Sequence, residues 1–160
     1  MKSVVIYYSF SGNTRKAAEL LREFLSGRGS VEMIELAALD ESKSFLGQCR
    51  RAFAHVKGKI SPAKLDLSGY DTVFFGTPVW AFGPAPAMNA YLEGVSGLQD
   101  KNAVLFATYG SGAGKGRCLD YMQEVLAKKG AKGFSRVYIQ QLKVNDKEFV
   151  LSEFKKAVNF

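Results

Sequence analysis

The sequence contains few of the residues that build disulfide frameworks, metal centres or membrane spans. It has two cysteines, Cys49 and Cys118, and one histidine among 160 residues. The two cysteines have no framework or metal-ligand spacing, so we expect no metal site and a reducing, cytoplasmic compartment. No run of about 18 apolar residues occurs, which predicts no membrane span. The N-terminus leads directly into a strand pattern and shows no signal peptide.

Acidic residues are also scarce, and one stretch lacks them altogether. The formal net charge is +7, and residues 42–65 contain six basic residues and no acidic one. These basic residues are Lys43, Arg50, Arg51, Lys57, Lys59 and Lys64. The stretch is either a solvated helix face or a docking face for an acidic redox partner or anionic substrate. No base-reading motif accompanies the charge, so a nucleic-acid partner is not predicted.

Strand and helix patterns alternate along the whole chain, which predicts one α/β domain over residues 1–160. Apolar, β-branched or aromatic runs predict strands, and helical spacing places apolar stripes between them. The predicted strands are Ser3–Tyr8, Val31–Leu36, Asp71–Gly76, Ala103–Tyr109 and Ser135–Gln141. Five helices are predicted. The first two cover 15–25 and 45–56, the third begins at Pro86, the fourth contains Leu119 to Leu126, and the last begins near Asp146. Several strands are apolar on both faces, which indicates a parallel sheet covered by helices on both sides.

The loop after the first strand has the composition of an anion site. Residues 9–14 read Ser-Phe-Ser-Gly-Asn-Thr and come directly before a helix. The first N–H groups of a helix lack intrahelical acceptors, and the helix dipole adds partial positive charge there. Hydroxyl and amide side chains add donors, and Gly12 permits close backbone approach. The loop therefore predicts a site for a phosphate monoester.

Two further loops should meet the first, because ligands of such sheets bind past the carboxyl ends of the strands. The loop after the third strand contains Trp80 and Phe82, outside any strand or helix pattern, and can cover a flat ring. The alternative is that these aromatic residues pack onto the core. The loop after the fourth strand begins with Thr108 and Tyr109 and continues as a glycine-rich backbone. A phosphate loop beside two such loops fits flavin mononucleotide, FMN.

At this point the chain resembles the flavodoxin-like family. The resemblance rests on residues 8–14, Tyr-Ser-Phe-Ser-Gly-Asn-Thr, on residues 76–80, Gly-Thr-Pro-Val-Trp, and on the five-unit order. It implies a doubly wound five-stranded parallel sheet of order 2-1-3-4-5, a phosphate held by the first loop, and a ring held between the other two. The residues predicted to bind the cofactor are Ser9, Phe10, Ser11, Gly12, Asn13, Thr14, Thr77, Pro78, Val79, Trp80, Ala81, Phe82, Gly83, Thr108, Tyr109, Gly110, Ser111 and Gly112.

The resemblance leaves two functions open and assigns no catalytic side chain. The favoured one is electron transfer through the bound flavin, and the alternative is an NAD(P)H-dependent reductase of quinones or similar acceptors. A non-redox domain that holds FMN as a sensor or structural part is a minor third interpretation. Electron-carrier flavodoxins are typically acidic, whereas this chain is basic. His55 lies at the end of the basic helix pattern and is interpreted as a surface residue, and Cys49 as a packing residue. For Cys118, near the expected ring site, a reactive role is the minor alternative to packing.

Overall fold

The computed structural model describes residues 1–39 and 58–158. The predicted helix over 45–56 lies outside these residues, as do Lys43, Cys49, Arg50, Arg51, His55 and Lys57. The described elements are β1 (Lys2–Tyr7), α1 (Asn13–Ser26), β2 (Ser30–Glu35), β3 (Thr72–Trp80), β4 (Gly83–Pro84), α2 (Pro86–Gly94), β5 (Asn102–Tyr109), α3 (Lys115–Lys128), β6 (Gly133–Gln140), a 3-10 turn (Gln141–Lys143) and α4 (Lys147–Ala157).

The five long strands form one parallel sheet in the order β2-β1-β3-β5-β6. This is the predicted order 2-1-3-4-5, because β4 is a two-residue addition that pairs antiparallel with the end of β3. The carboxyl ends of β1, β3 and β5 therefore lie side by side at one edge. That edge brings the three predicted loops together.

Two apolar layers cover the sheet, as the strand sequences require. Successive strand residues face opposite sides, so Val4 and Ile6 belong to one layer and Val5 to the other. The first layer is closed by α2 and α3 and the second by α1 and α4. Both layers are buried, which explains why the central strands read as continuous apolar runs.

The helix ends follow their local sequences. Pro86 occupies the first turn of α2, where its missing N–H costs nothing. Asp146 caps α4, because its Oδ1 accepts a hydrogen bond of 3.0 Å from the Phe149 N–H. Across residues 1–39 and 58–158, no helix is long and apolar enough to span a bilayer.

Candidate functional site

The first loop places its polar groups around the start of α1. Gly12 precedes the helix with a φ of +88°, a left-handed conformation that favours glycine. The Arg15 N–H donates to Ser9 Oγ at 3.1 Å, and Asn13 Nδ2 donates to Ser11 Oγ at 3.1 Å. Ser9 therefore stabilises the loop itself, while the earlier amides of the first turn have no acceptor within the helix.

Thr14 connects the first loop to the end of β5. It is buried, and its Oγ1 lies 2.8 Å from Oγ1 of Thr108, which is buried as well. Each hydroxyl can donate one hydrogen bond and accept two. If Thr108 donates within the pair, the proton of the Thr14 hydroxyl is available to an anion in front of α1.

The second loop is shorter than predicted, because β3 runs four residues past Gly76 to Trp80. The register of β1 with β3 ends at Tyr7 opposite Gly76, so β3 continues alone on that side. Gly76 accepts from the Tyr8 N–H, which shows that residues 76 and 78 turn their backbone groups toward β1. Pro78 has no N–H, and it occurs where β1 no longer provides an acceptor.

Trp80 is a strand residue, so its predicted position in a loop was wrong. Its side chain is 4% exposed and lies edge-on to the rings of Tyr8 and Phe10, with centroid distances of 5.7 and 5.5 Å. Val79 and Trp80 are apolar, as strand residues often are, but the preceding Pro78 argued against a strand at this point of the sequence. Trp80 packs against the core as the alternative interpretation required, and it also lines the cleft described below.

The turn between β3 and β4 consists of Ala81 and Phe82. Both have positive φ, 44° and 70°, as the two central residues of a type I′ hairpin do. Phe82 lies against Gly114, where a Cβ would come within 2.1 Å of the Phe82 ring. Thr77 is buried and accepts the Ala85 N–H at 3.0 Å, so its hydroxyl holds the return of the hairpin.

The third loop joins β5 to α3. Tyr109 lies under the ammonium group of Lys115, with Nζ 4.4 Å from its ring centroid, and the same Nζ is 5.3 Å from the Tyr138 ring centroid. A Cβ at Gly112 would lie 3.5 Å from the Tyr109 ring. The Tyr109 ring is therefore in contact with Lys115 and the backbone near Gly112. Gly110 and Ser111, in contrast, line the cleft described next.

The first and third loops, the end of β3 and the turn after β6 line a cleft of about 480 Å³ at the carboxyl ends of β1, β3 and β5. The lining residues are Phe10, Ser11, Thr14, Pro78, Val79, Trp80, Gly110, Ser111 and Gln141. The other predicted site residues do not line it: Ser9, Gly12, Asn13, Thr77, Ala81, Phe82, Gly83, Thr108, Tyr109 and Gly112. A second cavity, of about 440 Å³, lies at the opposite edge of the sheet, far from these loops.

Gln141 is the lining residue that the sequence analysis missed. It begins the 3-10 turn after β6, and its Oε1 would lie 3.7 Å from a Cβ at Gly110. The signal was present, since Gln141 ends the fifth predicted strand and that strand ends at the same edge of the sheet. Its amide can both donate to and accept from a polar ring edge.

The cleft is lined by both polar and apolar groups, which fits FMN. Ser11, Thr14 and the start of α1 provide donors without any lining side chain that carries a charge, among the residues that the structure describes. Pro78, Val79 and Trp80 form an apolar wall. The volume lies within the range of roughly 300–1,000 Å³ that small-molecule sites occupy.

Arg15, which directly follows the phosphate loop in the sequence, is paired with a carboxylate. Arg15 donates from Nε and Nη2 to the Glu35 carboxylate at 2.5–3.0 Å, and the Tyr7 hydroxyl donates to the same carboxylate at 3.2 Å. Burial, and then the Glu35 charge, raise the pKa of Tyr7 to about 12. The Glu35 carboxylate thus joins β1, β2 and the first turn of α1.

Cys118 is a core residue. It lies in α3, fully buried, and burial raises the pKa of its thiol to about 12. A thiol with such a pKa carries almost no thiolate at neutral pH. This position favours the packing interpretation over the reactive one. Groups of three or more potential metal-ligating side chains are absent from the described stretches 1–39 and 58–158.

Solved structures with the same fold include several flavoproteins. A candidate flavoprotein from Bacteroides eggerthii DSM 20697 aligns over 99% of both chains with 23% identity and a TM-score of 0.74. A flavoprotein from Lactobacillus acidophilus NCFM in complex with FMN aligns with 20% identity and a TM-score of 0.66, covering 92% of this chain and 98% of its own. Oxidised flavodoxin 1 from Bacillus cereus aligns with 22% identity and a TM-score of 0.64, over 99% and 100% of the two chains.

These similarities establish the flavodoxin-like fold, and a family profile goes further. Comparison with curated protein sequences finds no match. The profile of the NADPH-dependent FMN reductase family matches residues 1–141, most of the chain. The chain therefore belongs to the NADPH-dependent FMN reductase family, which confirms the predicted resemblance and the prediction of FMN as cofactor.

Proposed function

We propose that this protein binds FMN in the cleft and transfers electrons through it between a donor and an acceptor. The observation that carries the proposal is the convergence of two loops and the end of β3 on one cleft of about 480 Å³ at the carboxyl ends of the central strands. Donors for a phosphate and an apolar wall both line that cleft. Bound FMN supplies reversible electron and hydride transfer at its ring, and the protein supplies binding and orientation.

The phosphate end is formed by Ser11, Thr14 and the first amides of α1. The two hydroxyls donate to phosphate oxygens, and the helix dipole balances part of the phosphate charge. Arg15 does not contribute, because Glu35 holds its guanidinium in a bidentate pair. The phosphate is thus recognised mainly by hydrogen bonds, and we expect binding to depend on donor geometry more than on ionic strength.

The ring end is formed by two walls. Pro78, Val79 and Trp80 make the apolar wall, and Gly110, Ser111 and Gln141 make the second wall of the same cleft. The backbone and amide groups of the second wall can bond the polar edge of the ring, while the apolar wall excludes water from its face. The remaining predicted site residues act behind these walls, as Thr77 and Thr108 do through their hydrogen bonds.

The second candidate function is reduction of FMN by NADPH or NADH, followed by transfer to a quinone or similar acceptor. The family profile over residues 1–141 favours it. Electron transfer is placed first because the aromatic side chains of Phe10 and Trp80 already line the cleft. Nicotinamide would have to stack on a ring already bordered by Trp80 and Phe10.

Two measurements test these functions. Fluorescence titration of the protein with FMN, riboflavin and FAD should show the tightest binding for FMN, and absence of flavin binding would overturn both functions. The FMN-loaded protein is then mixed anaerobically with NADPH or NADH in a stopped-flow instrument. Bleaching of the flavin band within seconds would select the reductase. Persistence of the band with both nucleotides, but bleaching by dithionite, supports the electron carrier.

A further inference from the structure

Exposed apolar side chains collect around the mouth of the cleft. Phe10 and Phe82 are 43% exposed and Leu142 is 87% exposed. Phe10 lines the cleft, Phe82 tips the β3–β4 hairpin, and Leu142 follows the lining residue Gln141. We refer to Phe10, Phe82 and Leu142 as the cleft rim. Large apolar groups grouped at one exposed place are typical of interaction surfaces.

Phe82 is held in the rim at a cost in backbone conformation. Type I′ turns favour asparagine and glycine, whereas here Ala81 and Phe82 have φ of 44° and 70°. Left-handed φ is unfavourable for residues with a Cβ. The ring also occupies the space beside Gly114, which has no Cβ and a φ of +76°. The positive φ of the Ala81–Phe82 turn and the missing Cβ of Gly114 together keep the Phe82 ring half-exposed near the cleft. Such a conformation indicates that the ring contacts another molecule.

Basic side chains accompany the rim. Lys115 and Arg117 lie in the first turn of α3, directly after Gly114, and Lys143 follows Leu142. Acidic side chains near this edge are engaged: Glu35 with Arg15 and Asp120 with Arg136. The carboxylate of Asp146 caps α4. Asp146 and Glu148 keep their negative charges at the start of α4, so the charge beside Lys143 is mixed. The positive side of the rim is the start of α3, with Lys115 and Arg117.

The basic stretch over 42–65 is a less suitable docking face where it can be described. Lys64 Nζ lies 2.7 Å from the Glu32 carboxylate and 2.7 Å from the Tyr70 hydroxyl, and it holds the chain against β2. Its charge is thus largely neutralised within the molecule. At the rim, Lys115 Nζ lies over the Tyr109 ring and Lys143 Nζ over the Phe149 ring, contacts that do not neutralise their charges. The rim thus combines cations with apolar groups beside the proposed flavin.

We propose that the cleft rim, with Lys115, Arg117 and Lys143, docks an acidic electron-transfer protein. The inference rests on the proposed electron-transfer function and adds its partner class. Apolar contacts at Phe82 and Phe10 would exclude water, and the surrounding cations would attract and orient the acidic face of the partner. One electron leaves the partner's reduced iron–sulfur cluster, which is oxidised, and enters the bound flavin, which is reduced.

The aromatic contact is tested with the FMN-loaded protein and an acidic [2Fe–2S] ferredoxin as the probe, by calorimetric titration and stopped-flow electron transfer. Phe82→Asn removes the ring, and asparagine accepts the positive φ. We expect its ferredoxin Kd to rise about tenfold or more, with FMN affinity within about twofold of wild type and Tm unchanged or higher. Ala81→Gly is the control, since it relieves the same turn, keeps the ring and should retain wild-type docking.

The charge contact is tested with Arg117→Glu and Lys143→Glu in the same two assays. Lys155→Glu is the matched control, because Lys155 is exposed near the end of α4, at the opposite edge of the sheet. The two rim variants should each weaken docking at 50 mM salt, and the difference should shrink at 500 mM, whereas Lys155→Glu should match wild type. Binding to the FMN-free protein should follow the same ranking.

Several results would overturn the proposal. One is the absence of ferredoxin binding to the wild-type protein at low salt. Another is an equal ferredoxin Kd for the wild type, Phe82→Asn and Lys143→Glu. A lower Tm in Phe82→Asn with docking retained would make the ring structural. Sedimentation that shows a wild-type dimer and a monomeric Phe82→Asn would make the rim a contact between copies. In each case FMN binding and reduction by dithionite remain measurable, so the proposed function is judged separately.

Discussion

The hydroxyl oxygens of Thr14 and Thr108 lie 2.8 Å apart, although 94 residues separate them in the chain. Thr14 is the second residue of α1 and Thr108 the last but one of β5, so the bond connects the phosphate loop to the strand that leads into the glycine-rich loop. Both residues are buried. This polar contact therefore adds to the strand pairing that holds the two parts of the proposed flavin site together.

The first prediction concerns this pair. Thr14→Ala should weaken FMN binding by about 1.5–3 kcal/mol, because a hydrogen bond to a charged phosphate is lost, and riboflavin binding should change little. Thr108→Val should cost less for FMN, about 0.5–1.5 kcal/mol, since it removes only the partner of Thr14. Fluorescence titration with both flavins measures the difference. Thr14→Ser is the control, and equal losses for FMN and riboflavin would place Thr14 outside the phosphate site.

Trp80 provides an internal probe of the cleft. It is the only tryptophan in the sequence and lines the apolar wall. We expect FMN to quench tryptophan emission in proportion to occupancy, because the ring would bind in contact with this wall. Titration followed at both tryptophan and flavin wavelengths should give the same Kd. Saturated flavin binding with unchanged tryptophan emission would place the ring elsewhere.

Gly76 should tolerate no side chain. A Cβ there would lie 2.0 Å from the Phe106 ring, which is fully buried, so Gly76→Ala should destabilise the fold by about 1–3 kcal/mol through overpacking. Gly116→Ala is the matched control, since its Cβ would meet nothing within 4 Å and helix α3 favours alanine. Urea unfolding of both variants compares them directly. Equal midpoints would show that the Phe106 ring moves aside.

Tyr7 should make stability depend on alkaline pH. Its folded-state pKa is raised to about 12 from 10.0, so the neutral form is favoured in the folded protein. The resulting stabilisation is fully present below pH 10 and is lost as pH rises from 10 to 12. Burial raises the pKa of Tyr91 in the same direction. Tyr7→Phe should therefore flatten, without abolishing, the decline in free energy of unfolding measured between pH 9 and 12.

The sequence predicted the sheet and the phosphate loop because both depend on local patterns. Runs such as Val4-Val5-Ile6 identify buried parallel strands, and the composition of the loop from Ser9 to Thr14 is typical of a phosphate site. Both predictions needed no knowledge of distant contacts. The strand order then followed from the family resemblance, and the structure has the same order.

The ring end was harder to predict because it depends on how two strands end. Pro78 hid the continuation of β3, since proline normally argues against a central strand, and only the early end of β1 makes it acceptable. Trp80 was therefore placed in a loop. Gln141 was missed for a related reason: its role follows from the neighbouring Gly110, across the space between β5 and β6.

The unequal lengths of β1 and β3 have a consequence for how this site can change. The cleft exists because β3 projects beyond its neighbour from Gly76 to Trp80, and the hairpin at its tip closes on itself through β4. Lengthening or shortening that projection by residue pairs would keep the alternation of faces and leave both apolar layers untouched. The depth of the cleft, and with it the size of the ligand, could then change without a change in the stability of the core.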